Sequence, residues 1–240
     1  VFFGSTAFSQ VVFEAAAKHC SVAGVVIVKP KPKGRGLKVT PPPVADWAAR
    51  RSIRVFDPED PNSEPFIRDM KALQPDLFVL SAYGHILNRE LLQVPRCGGI
   101  NIHPSLLPKY RGAAPIQWAI ASGETVTGNT TMRIDEGLDT GDILLQRAVE
   151  VGDDDAEALG RRLSVLGAEA VAEALKWLPG RGIVNFATRN ILGGSQTGME
   201  GPGRFKAGIL HSQRMEQILG TVHIQRLARN PGDKLPQDYK

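Results

Sequence analysis

Along the first 180 positions, short apolar runs alternate with stretches whose apolar residues recur every three or four places, a pattern that predicts strands and helices in turn. Val1 to Phe3 reads as the end of a buried strand, and Gly4-Ser5-Thr6 as the turn out of it, with Ser5 or Thr6 available as an N-cap. Phe8, Val11, Val12, Ala15, Ala16 and His19 then form one helical stripe, and Val22 to Val28 is the next apolar run. Strand, helix and strand in this order make a βαβ unit, whose crossover is right-handed. The pattern continues with a helix over 41–51, a strand over 53–56, a helix over 65–73 and a strand over 76–82. The last of these, DLFVLSA, is apolar almost throughout, as strands covered on both faces of a parallel sheet are.

Residues 114–121 predict a helix, 125–132 and 143–151 two strands, and Leu159, Leu163, Leu166, Ala170, Ala174 and Trp177 a core-facing helical stripe. The expectation is an α/β domain over residues 1–180 built on a mostly parallel twisted sheet. Beyond it the pattern fades. Gly193 to Gly203 holds five glycines and a proline in eleven residues, which marks a loop or linker, and Ile209 to Leu227 has room for a helix or two. Residues 181–240 are therefore expected to be a linker and a short atypical, divergent segment.

Composition narrows the class. A chain of 240 residues with 42% hydrophobic and 22% charged positions can bury a large core, which excludes disorder throughout. Apolar runs are too short for a membrane-spanning helix, so no membrane partner is expected. Two cysteines without metal-ligand spacing read as reduced thiols of an intracellular protein. The chain opens inside an apolar run at Val1, which reads as a trimmed start; a cytoplasmic location is expected, with an organelle matrix (mitochondrion or plastid) left open. Of the net charge of +4, residues 181–240 carry nine cations against four anions, so the basic excess belongs to the tail. A second basic stretch, KPKPKGRGLK at 29–38, sets five cations and no anion on a Gly-Pro loop. Such a loop is either a solvated charge run or a track for a phosphate backbone.

The candidate chemistry lies in GGINIHPSLLPKYRG, residues 98–112. Side chains alternate along a strand, so Asn101 and His103 project from one face, a carboxamide beside an imidazole. Pro104 and Pro108 take the chain out of the sheet directly afterwards, which leaves both groups at a strand's carboxyl end, where open α/β sheets bind ligands. A second stretch, DEGLDTGD at 135–142, crowds four carboxylates and two glycines into a turn between two strands. Asp153-Asp154-Asp155 is acidic too, but it precedes a helical pattern and reads as capping rather than metal binding. The first turn has Gly4 alone where a dinucleotide site needs G-x-G-x-x-G.

Asn101-x-His103, Ser105-Leu106-Leu107-Pro108, Tyr110-Arg111-Gly112-Ala113-Ala114-Pro115-Ile116 and Leu138-Asp139-x-Gly141-Asp142 together resemble the 10-formyltetrahydrofolate-dependent formyltransferases, in particular their methionyl-tRNA-directed branch. The resemblance implies a Rossmann-like formyltransferase domain over residues 1–180 in a monomeric enzyme. It implies Asn101, His103 and Asp139 as the catalytic set, with 10-formyltetrahydrofolate as co-substrate and no metal. Ser105, Leu106, Leu107 and Pro108 would shape the folate side, together with Tyr83, Gly84, His85, Ile86 and Leu87, where Gly84 permits close approach. Thr6 and Phe8 would lie near the incoming amino acid, and Lys33, Arg35 and Lys38 would engage initiator methionyl-tRNA. Three other readings stay open on the sequence: a formyltransferase for a small amine such as a nucleotide-sugar or glycinamide ribonucleotide, a folate-dependent hydrolase, and a non-catalytic RNA-binding relative.

Overall fold

The computed structural model describes residues 1–30 and 40–177. The expectations for Lys33, Arg35 and Lys38 and for the segment 181–240 lie outside these residues. The elements are β1 (Phe2–Phe3), α1 (Ala7–Ala16), β2 (Val25–Val26), α2 (Pro43–Ala49), β3 (Val55–Phe56), α3 (Glu64–Ala72), β4 (Phe78–Leu80), α4 (Arg89–Leu92), β5 (Gly99–His103), α5 (Pro115–Ala121), β6 (Val126–Arg133), β7 (Ile143–Glu150) and α6 (Ala156–Ala174). The strands form one seven-stranded sheet in the order β3-β2-β1-β4-β5-β6-β7. β3 to β5 are mutually parallel, and β6 and β7 extend the sheet as an antiparallel pair. No helix among the described residues is long and apolar enough to cross a membrane.

Alternation along the short strands builds two cores at once. Phe2, Val25 and Val79 join Val12, Phe13 and Ala16 of α1, Val44 and Trp47 of α2, and Val171 and Ala174 of α6 in one core cluster. Phe3, Val26, Phe78 and Leu80 join Phe66, Ile67 and Met70 of α3 and Leu91 of α4 in another. Neighbouring residues of one strand thus serve opposite layers, as the pleat requires. This is why 76–82 and 22–28 read as uninterrupted apolar runs although only Phe78–Leu80 and Val25–Val26 join the ladder.

Local signals account for the helix starts. Thr6 caps α1, its Oγ1 accepting the Ser9 N–H at 3.1 Å, while the Ser5 hydroxyl instead accepts the Val28 N–H at 2.8 Å. Asn88 caps α4, a single turn that the sequence pattern leaves undetected because four residues are too few to show a period. Asp155 caps α6 by accepting the Ala158 N–H at 2.8 Å, and Asp154 pairs with Arg162. Two of the three consecutive carboxylates therefore have structural partners. Asp155→Ala is expected to lower stability by about 1 kcal/mol, read as a lower urea midpoint at unchanged slope; an unchanged midpoint would remove the cap from the account of α6.

Candidate active site

β5 sits between parallel β4 and antiparallel β6, with Asn101 in register with Leu80 on one side and Met132 on the other. Asn101 therefore points to the sheet face that carries Leu80 and Phe3, and His103, two residues on, shares that face. The chain leaves β6 at Arg133, beside Ile100 at the start of β5, and the acidic turn then folds back over this face to bring Asp139 to the strand's end. Asp139 adopts a left-handed backbone, φ 52°, a region that Asp tolerates better than most residues.

One carboxylate ties the site together. Asp139 Oδ1 accepts the Asn101 side-chain N–H at 3.2 Å, and Oδ2 accepts the Gly112 backbone N–H at 2.8 Å. Oδ2 also lies 3.4 Å from His103 Nδ1. The other ring nitrogen, Nε2, is 2.8 Å from the Tyr110 carbonyl oxygen, which can only accept, so Nε2 donates. Both ring nitrogens thus face acceptors. The His103 and Asp139 side chains are 6% and 10% exposed, so these contacts act where water screens them little. Tyr110 (φ 57°), Ala114 (φ 57°) and Ala82 (φ 46°) are also left-handed non-glycine residues of the loops around the site. Such conformations persist where surrounding contacts over-determine them.

A cleft of about 420 Å³, counted to its open mouth, lies against this cluster. Leu80, Ile86, Leu87, Met132, Ile134 and Leu138 give it apolar walls, and His85, Asn101, Asp135 and Asp139 give it polar edges. Ile86 and Leu138 are more than half exposed despite their size, so the mouth is rimmed by apolar surface. Apolar walls with a few convergent polar groups are the usual make-up of a small-molecule site.

The structure gathers some of the expected site residues here and places others elsewhere. Asn101, His103 and Asp139 converge, and His85, Ile86 and Leu87 line the cleft. Tyr83 does not line it. Its ring is buried edge-on against Phe3, and burial, followed by the Asp60 charge, pushes its phenol far above the usual range. Gly84 has φ 82°, a conformation that suits glycine, with open space where a Cβ would stand.

Ser105 to Pro108 do not line the cleft either; they are held against β6 and β7. The Ser105 carbonyl accepts the Thr130 hydroxyl, the Leu107 N–H donates to Thr130 Oγ1 at 3.0 Å, and the Leu107 carbonyl accepts from Gln146. Leu106 is half-buried, Leu107 is buried, and the Leu107–Pro108 peptide is cis. Thr6 is the exposed cap of α1, and Phe8 packs into the core between α1, α5 and α6. Asp135 holds the acidic turn by accepting from the Gly137 N–H and the Thr140 hydroxyl.

Two contributors carry no side-chain signal in the sequence, the Tyr110 carbonyl and the Gly112 N–H, since every residue has such groups. The one clue is Gly112 itself, whose φ of 81° suits glycine and aims its N–H at Asp139. Beyond them, Glu124 accepts the Tyr110 hydroxyl at 2.7 Å and the Lys109 ammonium at 2.8 and 3.0 Å. Lys109 first and Tyr110 second hold the Glu124 carboxyl below the usual carboxylate range. Among the described residues no group of three or more His, Cys, Asp and Glu is placed to hold a metal ion.

A family model described as Formyl transferase matches residues 1–175. The chain is 45% identical over 185 residues to a methionyl-tRNA formyltransferase of Anaeromyxobacter dehalogenans, covering 76% of this chain and 59% of that one. It is 50% identical over 155 residues to one of Geobacter metallireducens, covering 64% and 50%. The chain thus spans between half and three-fifths of the length of these curated relatives. Among solved structures, a glycinamide ribonucleotide transformylase of Geobacillus kaustophilus is 31% identical with a TM-score of 0.59, covering 75% of this chain and 97% of that one. A phosphoribosylglycinamide formyltransferase of Bacillus halodurans is 28% identical with a TM-score of 0.61, covering 75% and 94%.

Proposed function

Because the chain belongs to the formyl transferase family, we propose that it moves a formyl group from 10-formyltetrahydrofolate to the α-amino group of initiator methionyl-tRNA. The observation that carries this reading is the meeting of Asn101 and His103 on the Asp139 carboxylate beside an apolar cleft with polar edges. The cleft takes the flat ring of the folate between Ile86, Leu87, Ile134 and Leu138 and leaves Asn101 and Asp139 at its inner end. The tRNA as acceptor rests on the names of the relatives at 45% and 50% identity, and on the cationic loop at 29–38. Lys29 of that loop pairs with Glu59, and of its other four cations Lys33, Arg35 and Lys38 are the ones assigned to phosphate contacts.

The chemistry follows from the donors present. The amine attacks the formyl carbon, a C–N bond forms, and negative charge gathers on the formyl oxygen. Asn101, with one N–H fixed on Asp139, presents its second N–H to that oxygen, and the imidazole of His103, whose Nε2–H is committed to the Tyr110 carbonyl, adds a further donor from Nδ1. The bond from the carbon to N10 then breaks. The proton lost by the amine reaches N10 through Nδ1 of the imidazole, which Asp139 and the Tyr110 carbonyl keep oriented. Every atom is accounted for without an oxidant, a reductant or a metal.

A small-amine acceptor is the second reading, and the likeness to the glycinamide ribonucleotide transformylase favours it. The turn after β1 speaks against it. Gly4-Ser5-Thr6 has a single glycine, little of the glycine-rich loop that would grip the phosphate of a nucleotide. The test is transfer of labelled formyl by the full chain to methionyl-tRNA, to glycinamide ribonucleotide and with no acceptor. Label on methionyl-tRNA is the expected result. Label on the ribonucleotide alone, or free formate without any acceptor, would replace the reading with the second one or with a hydrolase.

A further inference from the structure

The imidazole of His103 is held at Nε2 by a backbone carbonyl in a loop that nothing in the strand itself fixes. That carbonyl belongs to Tyr110, a bulky residue in the left-handed region, where it is aimed at the ring over only 2.8 Å. The Gly112 N–H ties the loop to Asp139 two residues on, and the contact made by the Tyr110 side chain itself comes from outside the site. Its hydroxyl reaches Glu124, just beyond the end of α5, at 2.7 Å. Glu124 also grips the neighbouring Lys109 through both carboxylate oxygens, and the Lys109 carbonyl accepts the Ser105 hydroxyl at 2.6 Å. Both residues at the crest of the loop are therefore tied to one carboxylate, which meets neither the cleft nor the reacting groups.

We propose that Glu124, acting through the Tyr110 hydroxyl, is a positioning residue for His103: it holds Tyr110 in its left-handed conformation so that the Tyr110 carbonyl fixes the imidazole on the side opposite Asp139. Asp139 and Tyr110 then grip the ring from its two nitrogens, and the ring cannot rotate about its bond to the chain without losing both. The Lys109 ion pair contributes little by itself, because Lys109 is largely exposed. The tether to Tyr110 carries the effect. The inference rests on the formyl-transfer reading only for its activity measurement.

The test compares Glu124→Ala, Glu124→Gln and Tyr110→Phe in the full chain. Glutamine keeps an oxygen that accepts the Tyr110 hydroxyl and gives up the charge toward Lys109; phenylalanine keeps the ring and removes the tether. Glu124→Ala and Tyr110→Phe are each expected to lower kcat roughly tenfold to a hundredfold, with KM for both substrates unchanged. The double variant falls no further, and Glu124→Gln stays near the starting enzyme. Nitrogen-15 spectra of the His103 imidazole give a readout independent of turnover: the Nε2–H signal exchanges faster with water in the alanine and phenylalanine variants and keeps its protection in Glu124→Gln. If Glu124→Ala fails to fold, Tyr110→Phe carries the same test. Wild-type exchange at Nε2 in Tyr110→Phe, a loss confined to KM, or additive losses in the double variant would overturn the proposal. An enzyme that transfers no formyl group yet shows the expected imidazole spectra would overturn the activity and leave the positioning role standing.

Discussion

His103→Ala lowers formyl transfer by roughly a hundredfold to ten-thousandfold, the range spanned by a lost general acid–base group, while the protein stays folded. The loss follows from the two duties of the ring, donation toward the formyl oxygen and carriage of the proton to the leaving nitrogen. Survival of the fold follows from the site's wiring. With the imidazole gone, Asp139 keeps the Gly112 and Asn101 N–H groups, so no charge is left buried alone. Single-turnover transfer of labelled formyl, measured beside circular dichroism, separates the two. Undiminished turnover in a folded His103→Ala protein would sink the mechanism.

Asp139→Asn is expected to cost as much, for a different reason. Asparagine tolerates the left-handed backbone at this position, so the change acts on the carboxylate alone. It offers one oxygen and one NH2 where three donors converge, and whichever way the amide turns, its NH2 meets the Asn101 amide or the Gly112 N–H and imidazole. Either the Asn101 amide loses its acceptor, or the Gly112 N–H and the ring lose theirs. Because Asp139 and His103 act as one unit, the double variant His103→Ala, Asp139→Asn should be no slower than the worse single variant. Multiplying losses in single-turnover rates would show instead that the carboxylate acts on substrate independently of the ring.

The pairing of Asn101 with His103 is legible in the sequence because it depends only on the two-residue repeat of a strand, and Pro104 marks where the strand stops. The alternation of runs and stripes likewise yields the order of elements and the parallel character of β1 to β5. What the sequence conceals is decided by register and backbone. Tyr83 sits one turn from the site in the chain, yet its ring is committed to Phe3 through the pairing of β1 with β4. SLLP suggests a pocket wall from its leucines, whereas the structure binds its backbone to Thr130 and Gln146. The grip of Asp139 on Asn101 needs the acidic turn to double back over the sheet, a path no local pattern encodes. The Tyr110 carbonyl and Gly112 N–H are invisible because main-chain groups have no letter of their own.

The three converging side chains share a further property. β5 passes to β6 through α5, and β6 to β7 through the acidic turn, so Asn101, His103 and Asp139 all lie on one unbroken stretch of chain. Elsewhere in this sheet neighbours such as β1 and β4 are distant in sequence, and only the cleft wall at Leu80 and at His85 to Leu87 is borrowed from there. The reactive machinery is therefore heritable as a block. Exchange of segments before β5 or after β7 can alter what the enzyme recognises while the donor chemistry passes on unaltered, and lineages that diverge in acceptor would keep the same reacting centre.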